Sequence, residues 1–405
     1  MGPISGLKAS QLFAKGFALR SLQIPGGKGM FWLAGKTLLH ERARLVMTVA
    51  GISFSTVLVL TQVGIYLGMV RNATAVIRNT DADIWVTPKS IRNFDFATPV
   101  PEERTNRVKA LPEVLWVENL IVTWGFLKLP NGGQEQVQII GFNPDSGVGA
   151  PWNMVEGSPF DVKGGRYMIM DKTSEKRIGN LRPGTLWELN GTRFRLVGLS
   201  EGIKSFTTTP VIFMSYGQAQ NLMFGTAQSG QTTYIIAKLK NRERTQEVAD
   251  ILRRSMRNND VLTRDDFVLQ TVKYWTIQTG VGMSFFLTAL LGLMIGGAIS
   301  GQTIYSNTMQ HLKEYGTLKA MGAKNEDIYK TIFSQAGINA VLGFSLGSSG
   351  ILLLKSSIEK AGVPLYIDFI LLSSLFVLVM LTCLFAAWFS VRKIKTIDPV
   401  MVFRG

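Results

Sequence analysis

The sequence is poor in the residues from which many active sites are built. Among its 405 residues there is one cysteine, Cys383, and there are two histidines, His40 and His311. A lone cysteine closes no intrachain disulfide and assembles no cysteine-based metal site. Both histidines fall in segments that the charge pattern below assigns to the cytoplasm, so no histidine triad or zinc site is expected in the large insert. Charged residues make up only 18 % of the chain and are missing from several long apolar runs, while 46 % of residues are hydrophobic. That distribution points to a membrane protein rather than one large soluble core. The formal charge of +15 then matters less as a sum than by its location, because Lys and Arg flanking membrane spans set their orientation.

The first apolar run, Leu45–Val70, lies between Arg44 and Arg71 and exceeds the roughly 20 residues needed to cross a bilayer. A secretory signal has a shorter apolar core close to the N-terminus, and this run begins too late in the chain to fit that reading. A second span is expected within 274–309, with its apolar centre at Val281–Ile299, a third at 332–354 and a fourth at 369–391. Basic residues concentrate in the segment 1–44, in the loop 310–331 and in the tail 392–405, whereas the loop 355–368 has only Lys355 and Lys360. The positive-inside rule therefore predicts both termini and the 310–331 loop in the cytoplasm. The insert 71–273 is then outside. The span cores lack Asp, Glu, Lys, Arg and His, which argues against self-sufficient ion-coupled transport.

Glycines recur four apart within the runs: Gly64 with Gly68, Gly292 with Gly296, Gly297 with Gly301, and Gly343 with Gly347. Such spacing lets helix backbones approach closely, within the chain or across a homodimer seam. Before the first span, Lys28–His40 mixes apolar and basic residues as an amphipathic helix on the inner leaflet would. The Gly35-Lys36-Thr37 triplet is no phosphate loop, because Met30 stands where that motif needs glycine.

The insert reads as short alternating strands with turn signals. Asn131-Gly132 and Asn190-Gly191 each separate two such runs, as in hairpins whose turns need positive φ. Helices are expected at Pro101–Leu111 and at about Arg242–Met256, giving a mixed α+β domain of two lobes. The pairs Asp81 with Asp83 and Asp265 with Asp266 read as solvated loop carboxylates, and Arg253, Arg254 and Arg257 as a solvated helix end. Basic and acidic residues are nearly balanced in the insert, so no nucleic-acid partner is expected.

The most informative stretch follows the second span: Glu314, Tyr315, Gly316, Thr317, Leu318, Lys319, Ala320, Met321, Gly322, Ala323 and Lys324. A short amphipathic helix here could seat in a cleft of a soluble partner, with Gly316 and Gly322 allowing close approach and Glu314 and Lys319 offering charge at the edge. The stretch EYGTLKAMGAKNEDIYKTI resembles the cytoplasmic loop of the FtsX/MacB superfamily of ABC permeases. The order of one span, a large outer insert and three more spans also resembles that family, as does the tail Asp398-Pro399-Val400 with Arg404. The second-span segment is similar to the DevC-type permeases, which lack a fused ATPase domain.

The resemblance implies four transmembrane helices with a MacB-like periplasmic core domain inserted between helices 1 and 2. It also implies a non-catalytic inner-membrane subunit that transmits ATP hydrolysis by a separate ABC ATPase to the outer domain. ATP and Mg would bind to that partner, and no cofactor is expected in this chain. A membrane-fusion protein, an outer-membrane channel and a homodimeric state are further implications. Two relatives of the same architecture remain as alternatives: an FtsX-like regulator of a cell-wall hydrolase and a lipoprotein-releasing permease.

Overall fold

The computed structural model describes residues 41–207, 209–225, 230–320 and 324–395, and of 318–320 and 393–395 the backbone alone. The amphipathic helix expected at Lys28–His40, the tail motif from Asp398 to Arg404, and Met321, Gly322 and Ala323 lie outside the described residues.

In chain order, α1 (Arg42–Ala73) and α2 (Ala75–Asn79) lead into β1 (Ile84–Pro88), β2 (Val100–Pro101), α3 (Thr105–Lys109), β3 (Val114–Lys128) and β4 (Gln134–Phe142). Next come β5 (Met154–Glu156), β6 (Tyr167–Asp171), α4 (Glu175–Ile178), β7 (Leu186–Leu189), β8 (Thr192–Ser200) and β9 (Val211–Ser215). The segment continues through α5 (Tyr216–Phe224), β10 (Gln231–Thr232), β11 (Tyr234–Leu239), α6 (Thr245–Ser255), β12 (Asn259–Thr263) and α7 (Arg264–Lys273). After a π-helical turn at Tyr274–Gln278 the chain ends in α8 (Val281–Gln310), α9 (Leu312–Ala320), α10 (Asn325–Lys360) and α11 (Phe369–Lys395).

Four of these helices, α1, α8, α10 and α11, are long and apolar enough to cross a membrane. The chain divides into two compact units, one of residues 1–62, 287–354 and 367–405, the other of 63–286 and 355–366. In the first, the helix starts carry their own signals. Asp368 accepts a 2.8 Å bond from the Leu371 N–H at the start of α11, the usual way to satisfy an unpaired first-turn donor. The first turn of α10 holds Glu326 and Asp327, which favour the positive end of the helix dipole. This helix runs beyond the span marked by Lys330 and Lys355, because charges end a membrane crossing without ending a helix.

In the second unit ten of the strands form one mixed sheet in the order β12-β1-β11-β3-β4-β9-β6-β8-β5, with β7 pairing β3 and β8, while β2 and β10 pair separately. The long β3 belongs to both halves: Leu120 and residues before it pair with β11, and Ile121 onward with β4. The two lobes expected from the sequence are thus halves of one continuous sheet. Ile84, Val86, Ile235, Ala237 and Val261 pack with Val248 and Leu252 of α6, while Trp85, Phe94, Tyr234 and Phe267 fill the core on the opposite side. Burial of such side chains contributes about 1.5–3 kcal/mol each.

The Asn190-Gly191 hairpin forms as expected, both residues having positive φ (47° and 76°) between paired Leu189 and Thr192. Asn131-Gly132 differs. Pro130 opens a turn closed by the Gly132 N–H to the Leu129 carbonyl, and only Gly132 has positive φ; proline at this position fixes a type I turn followed by a bulge. The expected helix at Pro101–Leu111 is a 3-10 turn, Glu102–Arg104, followed by the short α3.

Candidate coupling site

In the first unit the glycines of α8 and α10 meet α1 directly. A Cβ on Gly292 would stand 2.6 Å from Leu58 Cδ2, and one on Gly296 2.4 Å from Ser55 Oγ. On α10, a Cβ on Gly343 would fall 2.6 Å from Ile52 and one on Gly347 2.7 Å from the Ser53 carbonyl. Ser55 adds a 2.7 Å hydrogen bond to the Gly292 carbonyl. So two neighbours approach α1 closely enough that a Cβ at any of these glycines would force something to shift. Gly301 faces Ala386 of α11, and Gly297 borders open space. In the second unit Gly64 accepts from the Tyr366 N–H, and Gly68 abuts Pro364.

The stretch after the second span folds as the helix α9. Its first turn is fastened to the start of α1 by a cluster centred on His311. Nε2 of His311 lies 3.0 Å from Glu41 Oε1, and Nδ1 lies 2.8 Å from Glu314 Oε2. Arg44 closes the cluster, bonding Glu41 Oε2 at 2.8 Å and also Gln310 Oε1. A neutral imidazole carries one N–H, so both contacts become hydrogen bonds together when the ring holds both protons. Tyr315 is packed behind His311, 9 % exposed. Burial, followed by the charges of Glu314 and Glu41, pushes its phenol up to about 12. Glu314 and Thr317 face outward, and Gly316 is half-buried. For Leu318, Lys319 and Ala320 only the helical backbone is described.

Close to this cluster is a group of amides that no sequence motif announces. Asn307 of α8 and Gln335 and Asn339 of α10 are all more than nine-tenths buried, and Asn307 Nδ2 donates to Gln335 Oε1 at 3.3 Å. Asn307 Oδ1, Gln335 Nε2 and Asn339 Oδ1 lack a partner among the described residues. Together with Glu41, Arg44, Thr48 and Thr303 they line a cavity of about 10 Å³. The available signal is the i,i+4 spacing of Gln335 and Asn339, which puts two amides on one face of an apolar helix. Glu41 and Arg44 carry no comparable signal, since flanking a span accounts for their charge.

In the second unit the carboxylate pairs serve structure. Asp83 accepts from Arg242 Nε at 2.7 Å and from the Leu239 N–H at 3.0 Å, and Asp81 pairs with Lys238. Asp266 takes its N–H cap from Thr263, and Arg253 bonds Asp250 and the Val261 carbonyl. Among the described residues no three His, Cys, Asp or Glu side chains are grouped as a metal site would need.

The MacB-like periplasmic core domain matches residues 45–255, just over half of the chain. The FtsX-like permease C-terminal domain matches residues 280–399. An uncharacterised ABC transporter permease of Methanocaldococcus jannaschii is 20 % identical over 397 residues, covering 92 % of this chain and 96 % of that protein. A second, from Mycobacterium tuberculosis, is 21 % identical over 382 residues, covering 93 % and 100 %. The periplasmic region of MacB from Actinobacillus actinomycetemcomitans is similar at a TM-score of 0.36 and 13 % identity, over 49 % of this chain and 98 % of that one. The extracellular domain of the ABC-type transporter YknZ from Gram-positive bacteria gives 0.33 and 13 %, over 45 % and 98 %. With a periplasmic core domain and a permease C-terminal domain matched in succession, the chain belongs to the FtsX/MacB superfamily of ABC transporter permeases.

Proposed function

We propose that this permease is the membrane subunit of an exporter driven by a separate ABC ATPase, which binds ATP and Mg and engages α9 and the residues that follow it. Nucleotide-driven closure of the ATPase pair pushes on α9. The His311 cluster passes that displacement to the start of α1, and α8, continuous with the helix-linking segment at Gln310 and His311, moves with it. The outer domain then changes shape and drives its cargo onward without cargo crossing a channel between the spans. The subunit sits in the inner membrane with both termini cytoplasmic, acts as a homodimer, and works as DevC-type permeases do with a membrane-fusion protein and an outer-membrane channel.

The observation that carries this reading is the pair of contacts from His311, one to Glu41 before α1 and one to Glu314 on α9. A plain turn between two spans has no need of a charged link to a third helix. The test is purification of the tagged chain from its native membranes, with ATPase activity measured for wild type and for Glu314→Lys combined with Gly316→Trp. An ATPase that accompanies the wild type and is lost or uncoupled in the variant supports the reading. If no ATPase accompanies the wild type under gentle detergent conditions, the coupling argument fails.

A further inference from the structure

The π-helical turn Tyr274–Gln278 is the last element of the outer unit before α8, and it touches three other parts of that unit. Thr276 shares a 2.5 Å hydrogen bond between hydroxyls with Tyr66 of α1. Trp275 stacks on Phe206, with ring centroids 3.7 Å apart and planes 10° from parallel. Phe96, in the loop between β1 and β2, lies 6.5 Å from the Trp275 ring, and Gln270 of α7 donates to the Ile91 carbonyl at the start of that loop. The loop is anchored to the sheet at Asp95, whose carbonyl accepts from Trp124 Nε1 at 2.9 Å and whose Oδ1 accepts from Gln138 Nε2 at 2.8 Å.

One side of this joint is incomplete. Asp95 is 3 % exposed, yet its Oδ2 has no hydrogen-bond partner among the described residues, and neither has the indole N–H of Trp275. The two groups are near enough that the indole lowers the proton affinity of the carboxyl, against the larger upward push of burial, but they have not closed to a hydrogen bond. A donor and an acceptor, each buried and unpartnered and each the natural complement of the other, are costly while apart. The residue that must move to join them lies in a π turn, a geometry rare in proteins and found mostly at functional positions.

We propose that Trp275 and Asp95 form a latch between the second membrane helix and the outer sheet, the indole N–H donating to Oδ2 in a second arrangement of the turn. Both are positioning residues. Movement of α8 makes or breaks this one buried bond, and through Asp95, Gln138 and Trp124 the change reaches β3 and β4. The latch deepens the transmission reading above and rests on it, since it takes α8 as the moving element. Ionisation of Asp95 strengthens closure, because a carboxylate is the better acceptor. The titratable neighbour is Tyr234 of β11, whose hydroxyl donates to the Phe94 carbonyl at 2.7 Å and whose burial keeps it protonated. No charged side chain is among the groups that act on Asp95.

Two near-isosteric changes each remove only this bond. Asp95→Asn keeps the acceptor for Gln138 but puts a donor in place of Oδ2, and Trp275→Phe keeps the ring stacked on Phe206 but lacks the N–H. The experiment is ¹⁹F NMR of the full chain in lipid nanodiscs with 5-fluorotryptophan in place of tryptophan, the Trp275 signal being the one missing in Trp275→Phe. In wild type that signal titrates between pH 5 and 7.5; in Asp95→Asn it does not, while the other seven indoles keep their wild-type shifts and report that the variant is folded. Hydrogen exchange of residues 274–280 at pH 7.5 completes a double-mutant cycle: each single change raises exchange several-fold and the double change raises it no further. A Trp275 signal that is flat in wild type, or that still titrates in Asp95→Asn, overturns the latch, as do additive effects in the cycle. No ATPase enters these measurements, so they fail independently of the transport reading.

Discussion

Replacing Asp95 by asparagine should remove a pH dependence of stability that the wild-type protein carries. Burial holds the Asp95 carboxyl at about 6 against its usual 3.8, with the bond from Gln138 and the nearby indole of Trp275 pulling the other way. The folded state therefore binds this proton more tightly than the unfolded state. An acid raised in this way contributes stability that is present at low pH and lost as pH rises from about 4 through 6. The interval between 3.8 and about 6 is worth about 3 kcal/mol when fully traversed. Between pH 5 and pH 7 the loss is about 1 kcal/mol, or roughly 2–4 °C in Tm for a domain of this size.

The assay is thermal unfolding of the full chain in detergent at pH 5, 6 and 7, comparing wild type with Asp95→Asn so that other titrating groups cancel. The Tm of the variant should rise relative to wild type as pH increases. Trp275→Phe removes a donor that favours the ionised form, so its Tm should fall more steeply with pH than that of the wild type. A difference between wild type and Asp95→Asn that stays constant from pH 5 to 7 would refute the argument that the carboxyl is held protonated by burial.

Four further outcomes follow from particular contacts. His311→Ala removes the link between Glu41 and Glu314, and hydrogen exchange in residues 312–317 should accelerate by about tenfold, the equivalent of one charge-assisted bond; unchanged exchange would show that α9 is held by other means. Gly343→Ala should destabilise the bundle by about 1–3 kcal/mol because its Cβ meets Ile52 at 2.6 Å, whereas Gly350→Ala, with nothing within 4 Å, should be neutral or stabilising in a thermal-shift comparison. Asp171→Ala leaves the Ile203 and Thr173 N–H groups and the Ser200 hydroxyl without their acceptor and should cost about 3 kcal/mol in denaturant unfolding. Asn339→Leu removes an unpartnered buried oxygen and should leave the Tm unchanged or raise it; a fall of several degrees would mean that this amide is engaged.

The membrane helices are legible in the sequence because an uncharged apolar run of more than about 20 residues matches the thickness of a bilayer and exceeds what a soluble core demands of one helix. Their ends are not legible, since α10 continues past Lys330 and Lys355 on backbone hydrogen bonds that charged residues do not interrupt. The Asn190-Gly191 turn is legible because both positions need positive φ, whereas at Asn131-Gly132 the preceding Pro130 changes the turn type and leaves positive φ to Gly132 alone. Thr263, Asp265 and Asp266 form a normal helix start, yet α7 is hard to detect, since ten residues are too few to show a firm period and acids in such a stretch look like loop carboxylates. A helix at Glu314–Ala320 can be expected from its pattern, but the residues that α9 meets cannot. Glu41 lies far from His311 in the chain, and only folding brings the two within hydrogen-bond reach.

The same division explains why both joints of the molecule are invisible in the sequence. At each, one ring side chain stands beside carboxyl groups from different parts of the chain: His311 between Glu41, before α1, and Glu314 of α9, and Trp275, in the turn before α8, close to Asp95. Periodicity arguments detect residues that repeat along one face of an element, and neither joint repeats. What marks them is polar chemistry: at His311 a link between two carboxylates, and at Asp95 and Trp275 two buried groups for which being unpaired is costly. If force is passed from α9 through the bundle to the outer sheet, such places are where it is carried, because a buried hydrogen bond has two discrete states whereas packed leucines and valines merely shift. His311→Ala and Asp95→Asn should then reduce coupling without abolishing the fold, and their combination should reduce it no more than the stronger of the two if both joints lie on one path. Independent, multiplicative losses in a reconstituted transport assay would show instead that the two joints act separately.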